Sequence, residues 1–194
     1  MILPPVIQTS LTNIVPLLAT AIVGPHGMTD LIHAEINDKI LPLFRINILC
    51  VSGAMLIHMM NMDLMTNVAF MASSAIHFRH DFPIKNEFLK MCASSTLVLN
   101  SQQIGAELFM CYMCFIHVPN HYKTYEPMIK ENLVKSGLYI GLCAIVSTFY
   151  FYSDPNIIQN ENLFVLSQAL IISHIMYEEL YTKNNTFIST QAIE

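Results

Sequence analysis

The chain is dominated by long apolar runs that alternate with short polar connections. The runs cover about residues 7–24, 40–60, 64–78, two parts of 88–118 divided at the polar residues 100–103, 133–152 and 163–181. A helix needs about 20 apolar residues to cross a bilayer, and these runs lack the alternation of a transmembrane β-strand. The pattern therefore predicts an all-α polytopic membrane helical bundle of about seven transmembrane helices, within a range of six to eight. We expect a single transmembrane domain over residues 1–181 and a polar C-terminal tail over residues 182–194.

The composition supports a membrane protein. Charged residues make up 12% of the chain and hydrophobic residues 54%, and the mean hydropathy is +0.48. A typical soluble domain carries about twice that share of charge. The net charge is −5 and the basic residues form no cluster, so the sequence excludes a nucleic-acid partner and favours the lipid bilayer.

The basic residues also predict a topology. They fall in alternate connections and at the inner ends of the runs: Lys39, Arg45, Arg79, Lys85, Lys90, Lys123, Lys130, Lys135 and Lys183. Cytoplasmic loops carry the excess of lysine and arginine in multi-pass membrane proteins. We therefore expect the N-terminus outside and the C-terminus in the cytoplasm.

Histidines follow the same partition. All except His58 are placed near the predicted cytoplasmic face: His26, His33, His77, His80, His117, His121 and His174. A polar side chain inside a membrane is costly and frequently has a function. This common layer makes the histidines candidates for one shared metal site, although each is also compatible with a hydrogen-bonded histidine in the protein core.

The stretch Phe115-Ile116-His117-Val118-Pro119-Asn120-His121 carries the most specific spacing. Residues four positions apart lie on the same helix face, so His117 and His121 could hold one metal ion. Pro119 would kink the helix or begin a new turn, and the pair stays close in both cases.

Three other stretches supply candidates. His26 lies between Gly24 and Gly27, and Asp30 could orient an imidazole, although the same residues are typical of a turn followed by a helix cap. His77 and His174 lie within apolar runs, whereas Asp81 follows His80 at the water boundary. Neutral imidazoles suit Fe(II), Zn or Cu(II); iron would favour oxygen chemistry and zinc would favour hydrolysis.

Four short motifs together resemble the Brp/Blh family, membrane-embedded bacterial and archaeal enzymes that cleave β-carotene with O2 to give retinal. They are Pro25-His26-Gly27-Met28-Thr29-Asp30, Ser74-Ala75-Ile76-His77-Phe78 followed by Asp81, Phe115 to Tyr122, and Leu170-Ile171-Ile172-Ser173-His174. This chain departs from the family pattern at Arg79, where a small residue would be expected.

The resemblance implies a carotenoid-cleaving, non-haem iron dioxygenase that acts at the central double bond of β-carotene or a related carotenoid. Its Fe(II) ligands, which would act in catalysis through the metal, would be His26, His77, His117 and His121. Asp30, Asp81 and His174 would support those ligands. The implied partners are a carotenoid, O2 and the lipid bilayer.

Two alternatives to this enzyme are open. The first is a catalytically inactive membrane protein that binds carotenoid or retinal, or that serves as a structural partner. The second is a di-iron lipid desaturase or hydroxylase, which also gathers histidines near the cytosolic face. That second class uses H-x-x-H-H motifs, and this sequence contains no His-His dipeptide.

Overall fold

The computed structural model describes residues 17–101, 106–153 and 160–182, and all secondary structure in these ranges is helical. The all-α prediction is therefore confirmed for this part of the chain. The α-helices are α1 (Gly24–His26), α2 (Met28–Ile36), α3 (Ile40–Met59), α4 (Asp63–Phe78), α5 (Glu87–Leu99), α6 (Ala106–Tyr112), α7 (Val118–Glu131), α8 (Leu133–Ser153) and α9 (Glu161–Tyr177). Three π-helical turns, Ala19–Val23, Met113–His117 and Glu178–Thr182, and a 3₁₀ turn, Arg79–Asp81, extend or join them.

Two positions with positive φ set the ends of early helices. Asp38 has φ of 55° in the connection between α2 and α3, and Asn61 has φ of 56° in the connection between α3 and α4. Short polar side chains tolerate this left-handed conformation better than branched ones do. After Asn61, the Met62 amide donates to the Ile57 carbonyl at 3.1 Å, which satisfies a carbonyl at the end of α3.

Two helices in the described ranges are long and apolar enough to cross a membrane, Ile40–Met59 and Glu161–Thr182. A shorter apolar segment, Leu133–Phe149, lies within α8. The helices α4 and α5 have 16 and 13 residues, fewer than the about 20 that a perpendicular span requires. The predicted number of seven spans is therefore not confirmed. Most of the first predicted run, and the tail from residue 183, lie outside the described residues.

Within the chain, contacts group the residues into two compact units, and the single transmembrane domain over residues 1–181 stays a prediction. Unit one comprises Met1–Ile32 and Asn100–Pro155, and unit two comprises His33–Leu99 and Asn156–Glu194. The boundary between them falls within α2 and again after α5. This second boundary coincides with the predicted division of the run over residues 88–118.

Unit two is organised around α9, which packs against α3 and α4, while α4 also packs against α5. Small buried residues make the contact between α3 and α9, with Ala54 and Ala169 beside Val165. Polar side chains tie the same helices together: the Ser173 hydroxyl donates to the Asn47 side-chain oxygen at 2.7 Å. Small residues and interhelical hydrogen bonds are the usual way in which apolar helices associate.

In unit one, α8 packs against the π turn Ala19–Val23 and against α1, and α1 contacts α7. The Ser147 hydroxyl on α8 donates to the Thr20 carbonyl at 2.7 Å. That carbonyl belongs to a π turn, where the irregular backbone gives carbonyl groups access to side-chain donors. The packing brings the start of the described chain onto α8 and presents His26 to α7.

The hydrogen bond between Gln168 and Asn67 offers a test of the packing of α9 on α4. The Gln168 side-chain amide donates to the Asn67 oxygen at 2.8 Å, and Gln168 is buried. Gln168→Leu is expected to lower the free energy of unfolding by about 1 kcal/mol, because interhelical hydrogen bonds of this kind have about that strength. Unfolding in detergent micelles measures the change. Ser167→Ala, at the neighbouring exposed position, is the control, and equal destabilisation by both variants would contradict this role of Gln168.

Candidate functional site

Three of the predicted metal ligands come together in unit one, and we call them the His26 group: His26, His117 and His121. All three side chains are buried. The ring centroids lie 5.4 Å apart for His26 and His117, 4.9 Å for His26 and His121, and 6.0 Å for His117 and His121. Imidazoles that bind one metal at about 2.1 Å have centroids about 4.5 to 5.5 Å apart. The three rings therefore form one buried cluster, in which two of the three separations fall within this range and the separation of His117 and His121 exceeds it.

The backbone around Pro119 explains how His117 and His121 stay on one side. The π turn Met113–His117 leads directly into α7, which begins at Val118, so Pro119 lies in the first turn of the helix. Proline is tolerated there because the first turn lacks intrahelical partners for its amide groups. The alternative in which Pro119 begins a new helical turn is confirmed. The buried face of α7 then carries Val118, His121 and Tyr125.

The ring of His26 is oriented by its own backbone. Its Nδ1 contacts the Val23 carbonyl, and Val23 is the last residue of the preceding π turn. A hydrogen bond donated by Nδ1 leaves the lone pair of the imidazole on Nε2, which is the atom that would bind a metal. The Thr29 hydroxyl donates to the His26 carbonyl at 2.7 Å and links the two short helices α1 and α2.

Aromatic rings flank the His26 group. Tyr112 stacks on His117 with centroids 6.4 Å apart, and Tyr125 lies 4.9 Å from His121. Burial raises the pKa of the neighbouring Tyr122. These rings restrict the imidazoles to few rotamers, as a preorganised ligand set requires.

The fourth predicted ligand, His77, lies in unit two, in a cluster that we call the His77 group: His77, His174 and Glu178. His77 lies in the last turn of α4, His174 lies in the last turn of α9, and Glu178 begins the π turn that follows α9. The Nδ1 atom of His77 lies 3.0 Å from Oε2 of Glu178, and the rings of His77 and His174 have centroids 5.4 Å apart. One ligand atom from each of the three residues lies within 4.8 Å of the other two.

Glu178 is the residue of this cluster that the sequence analysis missed. It follows Tyr177 at the end of the last apolar run, where a carboxylate ordinarily faces water, yet its side chain is only 2% exposed. The available signal was its spacing of four from His174, which places both residues on one helix face. His174, which was expected to support the ligands, has a ring nitrogen close enough to His77 and Glu178 to bind the same metal ion.

The two acidic residues that were expected to support the ligands lie at the start of α2 and in the turn after α4. Asp30 is buried in the first turn of α2, where its amide donates to the Gly27 carbonyl at 3.2 Å. Asp81 ends the 3₁₀ turn that follows α4 and is half-buried. The support of a metal ligand by either carboxylate stays a prediction.

Arg79, which departs from the resembling family pattern, forms an ion pair. Its guanidinium donates to Oε2 of Glu179 at 3.1 Å, and Nε2 of His80 lies 3.2 Å from Oε1 of the same carboxylate. Arg79 therefore joins the end of α4 to the turn that follows α9, next to the His77 group along the chain.

Comparison of the chain with protein-family models, with curated proteins and with solved structures found no match.

Proposed function

We propose that this chain is a multi-pass membrane protein that cleaves a carotenoid with O2, using Fe(II) held by histidines. The His26 group is the observation that carries the proposal, because it gathers three buried imidazoles whose ring centroids lie 4.9 to 6.0 Å apart. His77, the other ligand that the family resemblance implies, lies in unit two. Its buried ring, with a carboxylate at Nδ1, is suited to a metal ligand.

The donor atoms fit iron. Neutral imidazoles bind Fe(II) well, and ligand sets of this kind leave coordination positions open. When bound, the iron would supply the activation of O2. The proposed reaction is balanced without a further reductant, since one carbon–carbon double bond and one O2 molecule give two aldehydes.

The protein's own residues would hold and shield the site. The Val23 carbonyl fixes the tautomer of His26, and Tyr112 restricts the ring of His117. Burial of all three imidazoles keeps bulk water from the group. A preorganised and largely dry environment of this kind favours one oxidation reaction over side reactions with solvent.

An exposed apolar face on α8 supports the membrane location of unit one. Large side chains that are more than half exposed lie along one side of the helix: Leu138, Leu142, Ile145, Val146 and Phe149. Their spacing follows the helical repeat, and monomeric soluble proteins rarely expose continuous apolar patches of this kind. A bilayer would cover this face, and a carotenoid dissolved in the same bilayer would reach the protein without crossing water. In the topology that we propose, the N-terminus is outside and the C-terminus is cytoplasmic.

Expression in cells that accumulate β-carotene tests the proposal. Retinal is expected in extracts of cells that express the chain, together with loss of β-carotene. His58→Ala is the matched control, because His58 pairs with Asp63 at 2.7 Å and belongs to neither histidine group. Unchanged β-carotene with folded, iron-loaded protein would contradict cleavage of this substrate. Binding of carotenoid without retinal formation would instead favour the inactive carotenoid-binding protein.

A further inference from the structure

We infer that His77, His174 and Glu178 form a 2-His-1-carboxylate site for a divalent transition metal, with Glu178 as a direct ligand. The inference concerns unit two alone and does not rest on carotenoid cleavage, because metal binding is measured without substrate. It adds a carboxylate to the histidine chemistry proposed above. Two histidines and one carboxylate are a known donor set for non-haem Fe(II) and for zinc.

The distances within the His77 group suit a metal site. Two donor atoms about 2.1 Å from one metal and at right angles to each other lie about 3 Å apart. Nδ1 of His77 and Oε2 of Glu178 are separated by 3.0 Å. A hydrogen bond between a histidine and a glutamate has the same length. A third donor atom nearby is therefore needed to distinguish a metal site from a hydrogen bond.

His174 provides that third donor. Its ring lies edge-on to His77, and one of its nitrogens lies within 4.8 Å of ligand atoms on both His77 and Glu178. A His–Glu pair alone does not require a second imidazole at this distance. Three convergent donors from two helices are the arrangement that a metal ion would occupy.

The backbone at Glu178 favours the same interpretation. The α-helix α9 changes into the π turn Glu178–Thr182 at this residue, four positions after His174. Single π-helical turns inside helices occur frequently at functional sites. Here the change begins at Glu178, whose carboxylate reaches His77 at the end of α4.

The negative charge of Glu178 is a further reason to infer a bound metal ion. The carboxylate of Glu178 is 2% exposed, and burial of an ionised carboxylate carries a large desolvation penalty unless a cation compensates it. A divalent metal ion would compensate Glu178 and would use the lone pairs of both imidazoles at the same time.

Cobalt titration of the full chain in detergent tests the site. Metal-stripped protein is titrated with Co(II), and visible absorption and bound metal per chain are measured. His174→Ala and Glu178→Gln are each expected to lose one equivalent of Co(II), with at least a ~100-fold weaker apparent affinity at that site. His58→Ala and Glu179→Gln, which remove a histidine and a carboxylate outside the group, are expected to bind as the wild type does. Wild-type stoichiometry and affinity in either His174→Ala or Glu178→Gln would overturn the inference.

A second measurement needs no substitution and so does not depend on the folding of a variant. Wild-type chain loaded with Fe(II) is exposed to ascorbate and hydrogen peroxide, which oxidise side chains beside bound iron. Mass spectrometry is expected to find oxidised His77 and His174, and to find His58 unmodified. Equal modification of His58 and of the His77 group would overturn the inference. A chain that forms no retinal yet passes both tests would retain the metal site and lose only the proposed reaction.

Discussion

His121→Ala is expected to lower the retinal formed from β-carotene by at least about 100-fold and to lower the iron content of the purified chain. The imidazole of His121 lies between His26 and Tyr125 and contributes the shortest ring separation in the His26 group, 4.9 Å to His26. A small side chain there removes one metal ligand, and the two remaining imidazoles would bind iron weakly. Retinal in cell extracts and iron per purified chain measure the two effects.

His26→Ala and His117→Ala are expected to have the same effect if the three imidazoles act as one ligand set. His58→Ala controls for the loss of a histidine, and Asn120→Ala controls for a change within the first turns of α7. Retention of activity and iron in one of the three variants would remove that residue from the ligand set. Retention in all three would contradict the iron site in unit one.

Parts of the fold could be predicted because their signal is local. The helix α3 was expected over residues 40–60 and runs over Ile40–Met59, and α8 was expected over 133–152 and runs over Leu133–Ser153. In each, an apolar run ends at residues that favour turns, such as Asn61. Apolar length and turn residues are both properties of neighbouring positions, so no knowledge of the packing is needed.

Helices that are amphipathic or short carry a weaker signal in the sequence. The helix α7, Val118–Glu131, occupies what was interpreted as a connection, because only one of its faces is apolar. Conversely, α4 and α5 were interpreted as spans, although each is shorter than a perpendicular crossing requires. Segments that are buried in a protein and segments that contact lipid are both rich in apolar residues. Apolar content therefore does not distinguish a membrane span from a short helix packed within a protein.

The difference between local sequence pattern and tertiary packing explains which site residues could be predicted. The pair His117 and His121 is separated by one helical turn, so spacing alone predicts their proximity. The contact of His77 with Glu178 joins residues about a hundred positions apart and depends on the packing of α9 against α4. In addition, Glu178 lies at the end of an apolar run, where sequence reasoning places carboxylates in water. The burial of the Glu178 carboxylate depends on tertiary packing, which the local sequence pattern does not reveal.

Tyr177→Ala is expected to lower the free energy of unfolding by about 3 kcal/mol, the usual effect of removing a large buried aromatic side chain. Tyr177 is fully buried, its hydroxyl lies 3.0 Å from Nδ1 of His33, and its ring stacks on Tyr181. Tyr177→Phe keeps the ring and is expected to lose only about 1 kcal/mol, because it removes the single hydrogen bond. Unfolding of both variants in detergent micelles measures the difference. Equal effects would mean that the contact with His33, and not the packing of the ring, holds the end of α9 in place. The larger effect of alanine would instead mean that ring packing stabilises the turn from which Glu178 reaches His77.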